Sequence, residues 1–149
     1  HVIPGLIRKF HSAKEDNLQF VKCWGSGRPL REFLYVDDLA DACIFLLEKW
    51  DSINKNQVYA QNEQYIYWLN VGSDFEISIK DLAYKISKII GYQGEIIWDE
   101  SKPDGTPRKK LDTSKINNIG WKAKINLDEG LKLTYEFFKN EIKNQTIRI

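Results

Sequence analysis

The sequence predicts an α/β fold, in which helices alternate with short strands along the chain. Two periodicities lead to this class, and no internal repeat is visible. Apolar residues recur at helical spacing in four segments, which are 3–14, 39–50, 79–90 and 127–138. Short apolar or alternating runs of the kind that form strands lie between them, at 19–24, 30–36, 65–73 and 95–99.

The first helix is predicted over residues 3–14, where Ile3, Leu6, Ile7 and Phe10 share one face. "QFVKCW" (19–24) alternates apolar and polar residues and predicts a strand, and "LREFLYV" (30–36) predicts a second extended run after a GSGRP loop.

Asp37 or Asp38 is expected to cap the next helix. The apolar face of that helix is predicted from five residues, which are Leu39, Ala42, Cys43, Leu46 and Trp50.

A polar insertion at about 51–64 precedes "YIYWLNVGS" (65–73), a predicted strand. The clearest helix follows, since Ser78 and Asp81 form a capping-box pattern and Gly91 ends the apolar periodicity. "EIIWD" (95–99) predicts a strand, and the loop "ESKPDGTPRKKLD" follows it. A short helix at 113–119 and a last amphipathic helix capped by Asn126 with Glu129 complete the pattern.

Composition places limits on the kind of protein. A length of 149 residues predicts one domain, 1–149, and a net charge of +1 gives no overall field to attract nucleic acid or anionic lipid. No apolar run approaches the roughly 20 residues that span a bilayer. The absence of methionine indicates a piece of a longer protein. Cys23 and Cys43 are expected as buried free thiols of a cytoplasmic protein, with a disulfide as the alternative.

The motifs of self-sufficient enzymes are missing from the sequence. It has no G-x-S-x-G, no P-loop and no His or Cys spacing typical of a metal site, and no Tyr-x-x-x-Lys stands where a reductase would place its proton donor. The GSG at 25–27 is not a dinucleotide fingerprint, because the third glycine and the following helix are lacking. The chain is therefore not expected to be a complete enzyme.

Two sets of residues have the chemistry of an anion site. The first is Lys9, Trp24 and Arg31, in which an aromatic ring beside glycines could stack on a planar ligand and a guanidinium could grip a phosphate. The alternative is that Trp24 belongs to the core and Arg31 to a surface ion pair. The second set is the loop "PDGTPRKK" (103–110), with Asp104, Arg108, Lys109 and Lys110, for which a solvated basic loop is the alternative.

Four segments carry a resemblance to a known family. They are "HVIPGLIRKFHSAK", "VKCWGSGRPLREFLYVDDLADACIFLLE", "LNVGSDFEISIKDLAYKISKIIGYQGEI" and "SKPDGTPRKKLDTSKINNIGWKAKINLDEGLKLTYEFF". They resemble the C-terminal portion of the GDP-L-fucose synthase family, which are extended short-chain dehydrogenases/reductases of the NAD-dependent epimerase/dehydratase type. The resemblance implies a small mixed α/β substrate-binding domain without its Rossmann half.

The resemblance also implies an activity for the whole protein. Enzymes of this family epimerise GDP-4-keto-6-deoxy-D-mannose at C3 and C5 and then reduce C4 with NADPH, giving GDP-L-fucose. The N-terminal Rossmann domain binds NADP(H), so no cofactor-binding residue is assigned here, and His1 is a candidate neighbour of the cofactor. The family implies a homodimer as the full-length protein, and the 149-residue chain alone is expected to be inactive.

Individual roles follow from the matching motifs. His1 of "HVIP" matches the histidine that acts as an acid in the epimerisation. Lys9 and Lys109 would neutralise the diphosphate, Arg31 would clamp it, and Trp24 would pack on the nucleotide. Asp104 would accept hydrogen bonds from the sugar or the base.

Two other functions fit the same residues. The chain could be the equivalent domain of another nucleotide-sugar epimerase, dehydratase or reductase, or it could be a binding module without chemistry. A glycine-rich βαβ start and a Tyr-x-x-x-Lys upstream in the same gene would favour an enzyme.

Overall fold

The computed structural model describes residues 1–49, 68–144 and 146, which form two compact units. Unit 1 contains His1–Arg31, Ile77–Lys109 and Asp128–Ile149, and unit 2 contains Glu32–Glu76 and Lys110–Leu127. The mixed α/β class predicted from the sequence is confirmed. The single domain over 1–149 stays a prediction, and the insertion at 51–64 lies outside the described residues.

Unit 1 contains both helices and strands. Its elements are α1 (Val2–Glu15), β1 (Phe20–Trp24), β2 (Leu30–Glu32), β3 (Glu76–Ser78), α3 (Ile79–Ile90), β4 (Glu95–Asp99), β5 (Arg108–Lys109) and α5 (Leu127–Lys143), of which β2, β3 and α5 run across the unit boundaries. Strand β1 pairs with β4 in parallel, and a second sheet has the order β3-β2-β5, in which β2 and β5 are parallel. The strand predictions at 19–24 and 95–99 are confirmed.

The core of unit 1 lies between α1 and α3, which pack against each other. On α1, Leu6, Ile7 and Phe10 are buried as the sequence predicts. On α3, the Ser78 hydroxyl accepts a hydrogen bond from the Asp81 N–H at 3.0 Å, and Gly91 ends the helix at φ 78°. Both ends of α3 are therefore capped as predicted.

Unit 2 contains α2 (Val36–Lys49) and α4 (Ser114–Asn118). Its core is Ala42, Ile116 and Trp121, against which Phe45 and Leu46 pack. A buried carboxylate joins α2 to the segment at residues 124 and 125. Asp38 is only 3% exposed, and it accepts hydrogen bonds from the backbone N–H groups of these two residues at 3.1 and 2.9 Å. Two backbone donors compensate for the burial of its charge.

Two predictions for α2 are wrong. The helix begins at Val36, so Asp37 and Asp38 lie in its first turn rather than at a cap, and the Asp38 side chain binds backbone far along the chain. The buried face is also rotated, because it is set by Asp38 and Ala42, while Leu39 and Cys43 are exposed. The expectation of two buried thiols therefore holds for Cys23 alone. Trp50 lies outside the described residues.

The two longest strand predictions are also corrected. The run at 30–36 is a strand only over Leu30–Glu32, because α2 already begins at Val36. Residues 68–73 form no strand, and 65–67 lie outside the described residues. In this segment the Asn70 side chain donates a hydrogen bond to the Asp112 carbonyl at 3.1 Å. The segment is therefore attached through a side chain and not through the backbone hydrogen bonds of a β-sheet.

We expect the α1–α3 core to dominate the stability of unit 1. Leu82 on α3 is 0% exposed, so Leu82→Ala should lower the free energy of unfolding by about 2–5 kcal/mol through lost burial and a cavity. Urea denaturation of the full-length protein measures this value. The exposed Lys88→Ala on the same helix is the control, expected within about 0.5 kcal/mol of wild type. Equal stability of the two variants would contradict this packing.

Candidate functional site

Two segments of unit 1, residues 20–31 and 95–109, run side by side in the same direction. They pair through β1 and β4 at one end and through β2 and β5 at the other. Between these pairs the Gly25 N–H donates to the Asp99 carbonyl at 2.9 Å, and the Leu30 N–H donates to the Pro107 carbonyl at 2.8 Å. Four predicted site residues lie on these two segments, namely Trp24, Arg31, Asp104 and Lys109.

A carboxylate joins the two loops between the strand pairs. Asp104 accepts a hydrogen bond from the Ser26 N–H at 2.8 Å and another from the Ser26 hydroxyl at 2.6 Å. Gly25 packs so closely on Asp104 that a Cβ there would overlap the carboxylate, and its φ is 78°, where glycine is favoured. We call this pair of hydrogen bonds the Ser26–Asp104 clasp.

The clasp changes the acidity of its carboxyl group. The Ser26 hydroxyl and then the Ser26 N–H lower the pKa of Asp104, and the positive charge of Arg28 adds to this effect. Asp104 is therefore ionised at neutral pH. Each oxygen accepts one hydrogen bond from Ser26, so each keeps a lone pair for another donor.

The N-terminus of α3 also holds the loop at 25–29 through backbone hydrogen bonds. The Ile79 N–H donates to the Pro29 carbonyl at 3.0 Å, and the Lys80 N–H donates to the Gly27 carbonyl at 2.8 Å. Gly27 has φ 72° and lies against the Trp98 ring, where a Cβ would come within 2.8 Å. The first N–H groups of α3, which have no partner within the helix, thus fix the loop backbone. Gly25 and Gly27 give the backbone room for these close contacts.

Trp24 is the last residue of β1, and its side chain is 70% exposed. This exposure excludes the interpretation of Trp24 as a core residue, and it leaves a large apolar ring in contact with solvent. The ammonium of Lys102 lies over the ring, 6.0 Å from its centroid. The ring is the kind of platform on which a planar ligand can stack.

Arg31 is held by backbone carbonyl groups. Its Nη1 donates to the Leu30 and Thr106 carbonyl oxygens, each at 2.7 Å. Gly105 leaves space for the guanidinium, since a Cβ there would lie 3.0 Å from Nη2. Arg31 is the register partner of Lys109 on β5, so the two cationic side chains leave the same face of the sheet. The structure shows no carboxylate partner for Arg31 among the described residues.

Lys9 joins this region through strand β1, because its Nζ donates to the Lys22 carbonyl at 2.7 Å. Its charge is also felt by Cys23, although burial dominates and raises the pKa of that thiol. His1 is different. It is exposed at the start of α1, about 12 Å along the helix axis from Lys9 at 1.5 Å per residue. No described contact joins His1 to the other predicted site residues.

Sequence reasoning missed two residues of this region, Ser26 and Lys102. A serine between two glycines is typical of any loop, and its partner Asp104 is 78 positions away. Lys102 directly precedes the loop PDGTPRKK (103–110) that was predicted as an anion site, and only the turn at 99–102 brings it to Trp24. Within the ranges 1–49 and 68–144 no group of three or more His, Cys, Asp or Glu side chains could hold a metal ion.

A second concave surface lies elsewhere in unit 1. It is an open groove of about 990 Å³ along α1, α3 and α5 that contains none of the predicted site residues. Five lysines and three carboxylates line it, and two ion pairs form among them, Lys85–Asp128 at 2.7 Å and Lys139–Glu136 at 2.8 Å.

We predict that the clasp is visible in the titration of Asp104. Its pKa in the folded protein should lie below its ordinary value, and Ser26→Ala should raise it toward that value. Because the folded pKa is depressed, the clasp stabilises the protein at neutral pH and loses this contribution as pH falls through the folded pKa. NMR titration of labelled aspartate carboxyl groups measures the shift.

Ser101→Ala is the matched control, since the Ser101 hydroxyl donates to Asp99 at 2.6 Å instead. It should move the pKa of Asp99 and leave that of Asp104 in place. A wild-type Asp104 titration in Ser26→Ala would contradict the clasp.

The chain is similar to proteins of known activity along nearly its whole length. The model of the NAD dependent epimerase/dehydratase family matches residues 1–60. A putative GDP-L-fucose synthase 2 of Arabidopsis thaliana is 46% identical over 95% of this chain and 39% of its own length. The GDP-L-fucose synthase of Escherichia coli K12 is 45% identical over 93% of this chain and 42% of its own length.

A solved structure shows the same fold. A GDP-mannoheptose C4 reductase from Campylobacter jejuni with NADP bound superposes with a TM-score of 0.77 at 36% identity, over 93% of this chain and 45% of that one. The chain thus spans about 40% of the length of the curated relatives it matches. The predicted resemblance is confirmed: in sequence, this chain is similar to part of the GDP-L-fucose synthases.

Proposed function

We propose that this chain is the substrate-binding part of a GDP-L-fucose synthase. The whole enzyme would convert GDP-4-keto-6-deoxy-D-mannose to GDP-L-fucose by epimerisation at C3 and C5 and NADPH-dependent reduction at C4. The observation that carries the proposal is the arrangement of Trp24, Arg31 and Lys109 on two clasped parallel segments. The relatives named GDP-L-fucose synthase support the choice of substrate.

The geometry favours a nucleoside diphosphate as the ligand. Trp24 and Asp99 are register partners at the carboxyl ends of parallel strands, and ligands of open α/β sheets bind at such ends. The base would stack on the exposed Trp24 ring, which would gain apolar and π contact in place of water.

The diphosphate would bind Arg31 and Lys109. The two Nη1 hydrogens of Arg31 are used by carbonyl oxygens, which leaves the Nε and Nη2 hydrogens for phosphate oxygens. The guanidinium is held before the ligand arrives, so little side-chain entropy is lost on binding. Lys109 would add a second positive charge from the neighbouring strand.

Lys9 and Asp104 would complete the site. One ammonium hydrogen of Lys9 is used by the Lys22 carbonyl, which leaves two for a phosphate oxygen. Asp104 would accept hydrogen bonds from the sugar or base through its remaining lone pairs, in addition to holding Ser26. Both roles rest on the matching motifs together with these free donor and acceptor positions.

His1 is proposed as the acid of the epimerisation. A carbanion next to the C4 ketone must be reprotonated on the opposite face, and a group that titrates near neutrality suits this step. NADP(H) would supply the hydride for C4. The residues described here do not form a site for it, because the GSG loop leads into strand β2 rather than into a helix N-terminus that could hold a pyrophosphate. The chain alone is therefore expected to be inactive.

A related GDP-sugar enzyme is the second candidate. The fold is shared with a reductase named for GDP-mannoheptose, and the proposed contacts address the nucleotide rather than the sugar. The same nucleotide site would serve either enzyme. Turnover of GDP-4-keto-6-deoxy-D-mannose against the corresponding heptose by the full-length protein distinguishes them.

We further propose the setting in which this site works. The partners would be the GDP-sugar substrate, an N-terminal Rossmann domain of the same polypeptide and a second copy in a homodimer, in the cytoplasm. No helix among the described residues is long and apolar enough to cross a membrane.

We predict that Arg31→Ala in the full-length protein weakens GDP binding roughly 10- to 100-fold, the usual effect of losing hydrogen bonds to a charged group. Isothermal titration calorimetry measures the affinity. Arg28→Ala is the matched control, since Arg28 is exposed on the 25–29 loop and is not assigned to the ligand; this variant should bind GDP nearly as tightly as wild type. Wild-type GDP affinity in Arg31→Ala would overturn the diphosphate role.

A further inference from the structure

Lys102 is a cation that none of the proposed roles uses. It follows β4 in a tight turn, in which its N–H donates to the Asp99 carbonyl at 3.1 Å. The Ser101 hydroxyl and N–H both donate to the Asp99 carboxylate, at 2.6 and 3.2 Å. The turn is therefore held at three points, and it directs the Lys102 side chain back toward the carboxyl end of β1.

The charge of Lys102 is not neutralised locally. Of the two carboxylates in the turn, Asp99 forms its ion pair with Lys22 at 3.1 Å, and no ion pair joins Glu100 to Lys102 among the described residues. Among residues 1–49 and 68–144 the structure gives Lys102 no carboxylate partner, and its ammonium lies 6.0 Å from the Trp24 ring centroid. A cation that lies over an exposed indole ring and has no carboxylate partner is close enough to contact a ligand that stacks on that ring.

The position of Lys102 relative to the proposed phosphate-binding residues indicates which part of the nucleotide it would contact. Arg31 and Lys109 lie on the β2–β5 pair, whereas Trp24 and the 99–102 turn lie at the end of the β1–β4 pair. A base stacked on Trp24 would have its ring centroid about 4.5–7 Å from that of the indole, so it would come close to the ammonium, which lies 6.0 Å from the same centroid. Its diphosphate would extend toward the other strand pair.

We infer that Lys102 recognises the edge of the base and selects guanine. This inference rests on the proposed nucleotide site. Guanine presents two acceptors, O6 and N7, on one edge, and lysine is a common donor to both. Adenine replaces O6 with an N6 amino group, which donates and would oppose an ammonium. Lys102 is thus a specificity-determining residue, while Trp24 and Arg31 supply affinity for any stacked nucleoside diphosphate.

The test compares three purine nucleotides in the full-length protein. Wild type should bind GDP and IDP with similar affinity, since both carry O6 and N7, and ADP more weakly. Lys102→Met keeps the aliphatic stem and removes the charge, and it should weaken GDP and IDP roughly tenfold while changing ADP little. Lys102→Arg should restore the preference, because arginine binds the same edge. Lys88→Met, on α3 outside both segments, is the control and should bind all three as wild type does.

The outcomes separate this inference from the function on which it rests. Equal weakening of GDP, IDP and ADP in Lys102→Met would show a phosphate contact and overturn the base assignment. An unchanged ratio of GDP to ADP affinity in Lys102→Met would also overturn the base assignment. In that case Trp24→Ala and Arg31→Ala would still weaken GDP binding, and the proposed function would stand. No GDP binding by the folded wild-type protein would instead contradict the proposed function itself.

Discussion

The Ser26–Asp104 clasp is the interaction on which the candidate site depends. The two parallel segments are otherwise joined at or next to their paired ends, β1–β4 and β2–β5. The clasp joins the loops between those ends with two hydrogen bonds to an ionised carboxylate, which are stronger than neutral ones. It thereby sets Trp24 on one side and Arg31 on the other at a fixed separation along the surface.

The rest of unit 1 supports the clasp from its buried side. Helix α3 is rigid because both of its ends are capped and its apolar face is buried against α1, and its first N–H groups bind the loop carbonyls of Gly27 and Pro29. Gly25 and Gly27 permit the close approach of the loop to Asp104 and Trp98. The loop backbone is thus fixed by these contacts, so a ligand would lose little free energy in ordering it.

Local features of the sequence predicted local structure well. The Ser78 capping box and Gly91 gave the bounds of α3, and the spacing of Leu6, Ile7 and Phe10 gave the buried face of α1. Interactions between distant residues were not predictable. Asp38 looks like a helix cap in the sequence, but its partners are backbone groups 86 and 87 positions away. Ser26 and Asp104 are separated by 78 positions, and neither residue type signals the other. Trp24 is exposed and Arg31 is half-buried on the same segment, and their ligand roles stay predictions.

A double-mutant cycle on the clasp tests the central claim most directly. GDP affinity would be measured by calorimetry for the full-length wild type, Ser26→Ala, Asp104→Asn and the double variant. If the two residues act as one unit that shapes the site, each single variant weakens GDP binding and the double variant is little weaker than Asp104→Asn alone. Losses that simply add, or a Ser26→Ala variant with wild-type affinity, would show that Asp104 acts without Ser26 and would contradict the account.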